Sequence, residues 1–170
     1  MKKLHLSLMF SMICAVANAQ TVQFFTPNTV RIIKEKVPAT EDKSVVVIAK
    51  PEKVKVTKKN IGKATIYKSS ALTVKVEEGR VTFLDEKGNI LTSEGDAVFT
   101  PRTSGSDQNA YKVRQSFSVE ADETIYGIGL LQNGKMSQRG ENRHMTQSNL
   151  EDFAHFFQTI KGYGIYWENY

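Results

Sequence analysis

The sequence predicts an all-β domain built as an antiparallel β-sandwich, and three observations support that fold class. Apolar and polar residues alternate with a period of two in several segments, as they do in half-buried strands. Short turn signals separate these segments at close spacing, which is typical of sandwiches. Long helical periodicity is missing, and the one short helical candidate combines Leu150, Phe153, Phe156 and Phe157.

The alternation is clearest in the segments 72–76 and 111–119, where apolar side chains occupy one face and polar ones the other. The other predicted strands are 30–33, 45–48, 64–67, 81–84, 97–100, 125–128 and 164–167. Among the turn signals, Glu78-Gly79 predicts a tight connection, and residues 85–89 predict a looser one. Asn133-Gly134 predicts a two-residue hairpin because both residues accept positive φ, and residues 103–107 predict a surface loop.

Composition places the chain among ordinary globular domains. Its 170 residues are 40% hydrophobic and 24% charged, enough to bury the core of one domain. The formal net charge is +5. Lys2 and Lys3 belong to a predicted targeting segment, and the remaining 21 basic residues exceed the 18 acidic ones by only three. So small a surplus argues against nucleic acid as a partner.

The first residues have the form of a signal peptide. Lys2 and Lys3 precede an apolar run over 6–16, and Ala17-Asn18-Ala19 forms a cleavage site. The apolar run is too short for a membrane anchor. We therefore expect a signal peptide at 1–19, a domain at 20–170, and export to a bacterial periplasm, cell surface or medium. Cys14 lies in the signal, so the mature chain lacks disulfides and thiolate sites.

Six lysines cluster between positions 50 and 63. One interpretation is a site for polyanions or membranes. The interpretation we favour is an exposed edge strand, in which Val54 and Val56 face inward while the lysines prevent pairing with another sheet. Arginine and aromatic residues, which accompany lysines in nucleic-acid sites, do not interleave here.

The usual catalytic signals are weak. His144 and His155 lack further ligands at a useful spacing, so we expect no metal. Gly127-Ile128-Gly129 lacks the third glycine of a dinucleotide site, so we expect no cofactor and assign these glycines to close backbone packing or a bulge. The acidic pairs 85/86 and 122/123 are interpreted as solvated turn residues, and no catalytic residue is predicted.

The last forty-five residues are rich in amides and aromatic rings. Such side chains bind sugars, since amides match hydroxyls and rings stack on C–H faces. The same composition also fits an irregular polar loop closed by an aromatic core strand, and composition does not decide between these alternatives.

Four short motifs in this part resemble glycoside hydrolase family 31, which contains α-glucosidases and α-xylosidases. In order they are Asp122-Glu-Thr-Ile-Tyr-Gly-Ile-Gly129, Gln132-Asn-Gly134, Arg139-Gly140 and Lys161-Gly-Tyr-Gly-Ile-Tyr-Trp-Glu-Asn169. The resemblance implies a sandwich similar to galactose mutarotase that packs on a (β/α)₈ barrel in the same chain. In the family that barrel carries the aspartate nucleophile and the aspartate acid/base of a retaining hydrolase. The barrel motifs are missing here, so we expect a truncated sandwich without catalytic residues.

The resemblance also implies a site for an α-linked oligosaccharide or polysaccharide. In the family, a loop of this domain reaches the barrel mouth, and here it corresponds to about 145–157. Gln147, Asn149 and Asp152 are its expected sugar-facing residues. Three hypotheses follow: the N-terminal part of an exported α-glycosidase, which we favour, a stand-alone carbohydrate-binding module, or a structural partner domain.

Overall fold

The computed structural model describes residues 19–35, 44, 46–103, 105, 110–147 and 149–168. Within these ranges the regular structure consists of β-strands, without an α-helix, and neighbouring strands pair antiparallel. The strands are β1 (Ala19–Thr26), β2 (Thr29–Glu35), β3 (Thr57–Ile61), β4 (Ala64–Lys68), β5 (Thr73–Glu77), β6 (Arg80–Leu84), β7 (Ile90–Pro101), β8 (Tyr111–Phe117), β9 (Ile125–Leu130), β10 (Asp152–Thr159) and β11 (Gly164–Tyr166). The predicted all-β, antiparallel class is confirmed.

The strands form three sheets. Strands β3 to β8 make a six-stranded sheet in chain order, β1 and β2 form a hairpin, and β9 to β11 form a three-stranded sheet with β10 in the middle. Sequential order follows from the short turns, because a tight turn brings consecutive strands together. At the β5–β6 turn, Glu78 and Gly79 both have positive φ, at 50° and 79°, as a two-residue hairpin loop requires.

The apolar core lies between the β1–β2 hairpin and the six-stranded sheet. Val74 and Val81 are fully buried, and Phe24 and Leu72 complete the buried cluster. Half-buried side chains from β1 and β2 pack against it, including Val22. The hairpin therefore covers one face of the sheet, which gives the two layers of a sandwich.

The three-stranded sheet is joined to the other two sheets by polar contacts. Lys161 Nζ donates to the carbonyls of Ile90 and Leu91 at 2.9 and 3.3 Å. Arg31 of β2 pairs with Glu168 at 3.3 Å. These contacts connect the third sheet to the start of β7 and to β2.

Several sequence predictions are confirmed in detail. The alternation over 111–119 appears as β8, whose side chains change regularly between half-buried and exposed. The lysine-rich segment ends in β3, which lies at the edge of the six-stranded sheet with all five residues exposed. Val54 and Val56 face inward as expected, although they precede β3 rather than belong to it.

The predicted short helix was wrong, because Asp152–Thr159 is strand β10. The four apolar residues that produced the helix-like spacing fall into two groups. Phe153 and Phe157 are both half-buried and flank an irregularity in the pairing of β10 with β9. Leu150 and Phe156, which complete the spacing, are exposed.

Three other expectations need correction. Residues 46–48 form no strand, and Val46 and Ile48 are exposed; Val45 lies outside the described residues. Asn133-Gly134 makes a bend inside the long β9–β10 connection rather than a hairpin. Strand β7 extends well beyond the predicted 97–100, and β1 was not predicted.

Two predictions fall on residues that the structure leaves undescribed. The signal peptide at 1–19 lies outside the described residues except for Ala19, and the loop at 103–107 is described only in part. Among the described residues, no helix is both long and apolar enough to cross a membrane.

Candidate functional site

The candidate site is the connection between β9 and β10, residues 131–151, which we call the polar loop. It contains two of the family-like motifs and two of the three predicted sugar-facing residues, and the third opens β10. Its ends are held by the pairing of Leu130 with Asp152 and of Gly129 with Phe153. The two ends of the polar loop are therefore held next to each other by the paired strands β9 and β10.

Two glycines allow β9 and β10 to approach closely at the base of the polar loop. Gly127 and Gly129 have φ of 103° and 121°, a region that side chains other than glycine rarely adopt. A Cβ on Gly127 would lie 2.9 Å from the Phe156 carbonyl oxygen, and one on Gly129 would lie 2.7 Å from Phe153 Cα. The interpretation of Gly127-Ile128-Gly129 as a close-packing element is confirmed.

The expectation that Glu123 is a solvated turn residue was wrong. Its side chain is only 1% exposed, which makes it the largest fully buried side chain among the described residues. Glu123 Oε2 accepts a hydrogen bond from the Glu120 backbone N–H at 3.0 Å. The Tyr163 and Thr159 hydroxyls lie beside the carboxylate, and Lys161 faces it. We call these residues the Glu123 cluster.

Burial by itself raises the pKa of Glu123, but its neighbours reverse that effect. The neighbouring hydroxyls of Tyr163 and Thr159, the hydrogen bond from the Glu120 N–H and the charge of Lys161 together hold the pKa of Glu123 below its ordinary value. The carboxylate is therefore ionised at neutral pH, as buried charges are when they are paired and hydrogen-bonded.

Tyr163 shows the opposite shift. Its burial and the adjacent Glu123 carboxylate raise the pKa of Tyr163 to about 12. Within the described residues, neither the Tyr163 hydroxyl nor Glu123 Oε1 makes a hydrogen bond of regular geometry, although the two groups are neighbours. The tyrosine thus stays neutral at neutral pH.

The amides of the polar loop bind the loop itself. Gln138 is buried, its backbone N–H donates to the Ile125 carbonyl at 2.8 Å, and its side chain accepts from Asn133 at 3.1 Å. Arg139 Nη1 donates to the Glu123 carbonyl at 3.0 Å. Gln138 and Arg139 therefore attach the loop at the start of β9, and the Gln-x-Gly motif joins this attachment through Asn133.

The three predicted sugar-facing residues occupy the far end of the polar loop. Gln147 is exposed, but its amide accepts from the Phe153 N–H at 2.7 Å and donates to the Phe153 carbonyl at 3.2 Å. Asn149 and Asp152 are exposed as well. In this arrangement Gln147 braces the loop, while Asn149 and Asp152 present an amide and a carboxylate to solvent, groups that hydrogen-bond to sugar hydroxyls.

The described residues bring together no group of three histidine, cysteine or acidic side chains that would hold a metal. His144 and His155 are both exposed. Asp85 accepts hydrogen bonds from the backbone N–H groups of Lys87 and Asn89. That acidic pair is thus part of a turn, as the sequence indicated.

Sequence reasoning missed Glu123 and Thr159 as members of the Glu123 cluster. Each is polar, and each stands where polarity by itself favours a surface position. The Glu-x-x-Tyr-Gly motif was the available signal, because it places Glu123 three residues before a strand tyrosine.

The comparisons with known proteins agree with this geometry. Residues 19–170 match the family model described as the glycosyl hydrolase 31 N-terminal galactose mutarotase-like domain. The chain belongs to this family. An α-xylosidase of Saccharolobus solfataricus is 29% identical over 167 residues, which cover 88% of this chain and 22% of that protein.

Solved structures support the same fold. A family 31 α-xylosidase from Xanthomonas citri matches 90% of this chain with a TM-score of 0.77 at 24% identity, and the match covers 17% of that structure. A family 31 α-xylosidase from a soil metagenome, solved with xylose, covers 88% with a TM-score of 0.76 at 19% identity. The matched part is 25% of that second structure. This chain thus spans about a fifth of the relatives that it resembles.

Proposed function

We propose that this chain is the N-terminal, carbohydrate-associated domain of an exported α-glycosidase, and that it is inactive by itself. The whole enzyme would hydrolyse α-glucosides or α-xylosides with retention of configuration, using two aspartates of a (β/α)₈ barrel. The observation that carries the proposal is the family match over residues 19–170, together with the α-xylosidase relative, of which the match covers only 22%.

The polar loop supplies the contact with substrate in this proposal. Asn149 and Asp152 bind hydroxyls of an α-linked oligosaccharide, and Gln147 holds the loop in shape through Phe153. The Glu123 cluster supports the loop from below, since Arg139 joins the two. Because catalysis requires groups held within fractions of an ångström, a rigid base is what such a loop needs.

Purified residues 20–170 provide the first test. We expect no release of nitrophenol from p-nitrophenyl α-xyloside or α-glucoside, because the two aspartates of the proposed mechanism belong to the barrel. Measurable turnover by this protein contradicts the proposal. Sequencing of the DNA after codon 170 provides the second test: a barrel with two aspartate motifs in frame is expected, and a barrel missing from every frame contradicts it.

Export has its own test. The proposed signal at 1–19 predicts that the protein recovered from the periplasm or medium begins at Gln20, which N-terminal sequencing measures. A protein that keeps Met1 and stays in the cytoplasm contradicts export without affecting the family assignment.

One observation favours a stand-alone carbohydrate-binding module as the second candidate. Phe156 and Tyr166 lie directly opposite each other on β10 and β11, and 43% and 45% of their surfaces are exposed. Exposed rings on one face of a sheet are suited to stacking on sugars. Calorimetry with xylo- and gluco-oligosaccharides tests this candidate, and the absence of heat at millimolar sugar contradicts it.

A further inference from the structure

We propose that a basic groove beside β3, far from the polar loop in sequence, binds an acidic carbohydrate, meaning a sugar chain that carries carboxylate or sulfate groups. The groove has a volume of about 480 Å³, within the range of small-ligand sites. Its walls are the segment 52–57 and the end of β4 with the following turn. We call it the lysine groove.

The backbone holds the lysines of this groove in a fixed direction. The Glu52 N–H donates to the Phe25 carbonyl at 2.9 Å, which ties the segment to β1. Val54 and Val56 pack against the apolar core. Lys53 and Lys55 are exposed on either side of the half-buried Val54, and all three residues line the groove.

The opposite wall of the lysine groove is also fixed by hydrogen bonds. Lys68 closes β4, and the Ser69 hydroxyl binds the Pro27 carbonyl, accepts from the Leu72 N–H at 3.0 Å, and is buried. Ser69 therefore fixes the turn that faces the segment 52–57. Lys53, Lys55 and Lys68 thus line the groove from two separately anchored walls.

The charge of the groove is positive and uncompensated. Within the described part of the chain, none of Lys53, Lys55 and Lys68 pairs with a carboxylate within 4.0 Å. Glu52 is the one acidic residue among those lining the groove, so three cations face one anion. Prevention of edge pairing requires lysines on β3, but it does not require Lys68 and Lys53 to face each other across a concavity.

The shape and composition of the groove select the class of anion. A flat membrane surface does not enter a concave site, and the residues that line the groove include no aromatic ring on which a nucleic-acid base would stack. The nearby Tyr67 ring is covered by Lys58 Nζ, at 5.3 Å from its centroid. In a member of a glycoside hydrolase family, the anion that fits is one attached to a sugar.

Calorimetry with the purified protein at low salt tests the proposal, with trigalacturonate as the acidic probe and xylotriose as the neutral one. The test variant is Lys53→Gln/Lys68→Gln. The matched control is Lys63→Gln/Lys112→Gln, which removes the same charge from positions outside the groove, one of them paired with Glu78. Circular dichroism establishes that all the proteins are folded.

We expect trigalacturonate to bind, and the groove variant to bind it at least about fivefold more weakly, as the loss of two partly exposed charge contacts predicts. The control variant should stay within about twofold of the original protein, and added salt should weaken binding. The proposal is overturned if trigalacturonate does not bind, or if both variants weaken its binding equally. It is also overturned if xylotriose binds as well as trigalacturonate, or if an oligothymidylate, used as a nucleic-acid probe, binds more tightly than trigalacturonate. None of these outcomes bears on the hydrolysis test of the polar-loop function.

Discussion

The two parts of this molecule are held together by different interactions. The region from β1 to β8 buries Val74 and Val81 in an apolar core under the β1–β2 hairpin. The region from β9 to β11 buries Glu123, Gln138 and Thr159 instead. The first region mainly follows the ordinary rule of apolar residues inside, although Ser69 and Thr92 are also buried there. The second region is organised around a charged side chain.

This difference affects how precisely each region fixes the positions of its side chains. Apolar burial is non-directional and tolerates small shifts, whereas hydrogen bonds to a buried carboxylate fix angles as well as distances. The polar loop rises from the region with the directional contacts. We infer that the Glu123 cluster serves precision at the loop, while the apolar core supplies most of the stability.

The largest expected effect comes from Gly129→Ala in the second region. The new Cβ would lie 2.7 Å from Phe153 Cα and closer still to the Asp152 carbonyl oxygen, at a φ of 121°. The strands β9 and β10 must separate to relieve this contact. We expect a loss of about 3–5 kcal/mol in the free energy of unfolding, measured by urea denaturation.

Gly134→Ala is the matched control for that substitution. Gly134 also has positive φ, at 67°, but its Cβ would meet nothing within 4 Å. The expected loss is about 1–2 kcal/mol, from backbone strain only. Equal losses at both glycines would show that the positive φ of Gly129, rather than the close approach of β9 and β10, determines the cost of a side chain there.

The two regions also differ in how far the sequence predicts them. Period-two alternation found β5, β6 and β8, because one face of each strand is apolar. It failed at β10, where the apolar spacing resembles a helix across an irregular stretch of pairing at Phe153–Phe157. It also failed at Glu123, because a buried carboxylate depends on partners from distant strands, and local polarity carries no information about them.

Val74→Ala tests the apolar region. Val74 is fully buried at the centre of the core, so the truncation leaves a cavity, and we expect a loss of about 2–3 kcal/mol. Val46→Ala is the control, since Val46 is 58% exposed and should change stability by less than about 0.5 kcal/mol. The single tryptophan, Trp167, follows β11, so its fluorescence reports on the second region.

Denaturation of Val74→Ala, followed by both fluorescence and circular dichroism, shows whether the two regions unfold separately. If Val74→Ala shifts the fluorescence and circular dichroism transitions together, the regions unfold as one unit. A fluorescence transition that stays in place while the dichroism shifts would show that the β9–β11 region unfolds independently of the apolar core.

Tyr163→Phe has the smallest expected effect on stability and the most specific pH signature. The Tyr163 hydroxyl makes no hydrogen bond of regular geometry, so its removal should change the free energy of unfolding by less than about 1 kcal/mol at neutral pH. Because burial and the carboxylate raise the pKa of Tyr163 from 10.0 to about 12, the phenol contributes stability that is present below pH 10 and is lost as pH rises toward 12. The stability of the original protein relative to Tyr163→Phe should therefore fall over that interval.

An alkaline titration followed by phenolate absorbance measures this ionisation directly. The original protein should show one phenol that ionises near pH 12, and Tyr163→Phe should lack that step, while the control Tyr111→Phe should keep it. Glu123→Gln should bring the step to lower pH, since the carboxylate is one cause of the shift. If the ionisation near pH 12 persists in Tyr163→Phe, the phenol with the raised pKa is not that of Tyr163. That result would also remove the main electrostatic argument for a cluster centred on Glu123, and the β9–β11 region would then have to be explained by backbone approach at Gly127 and Gly129.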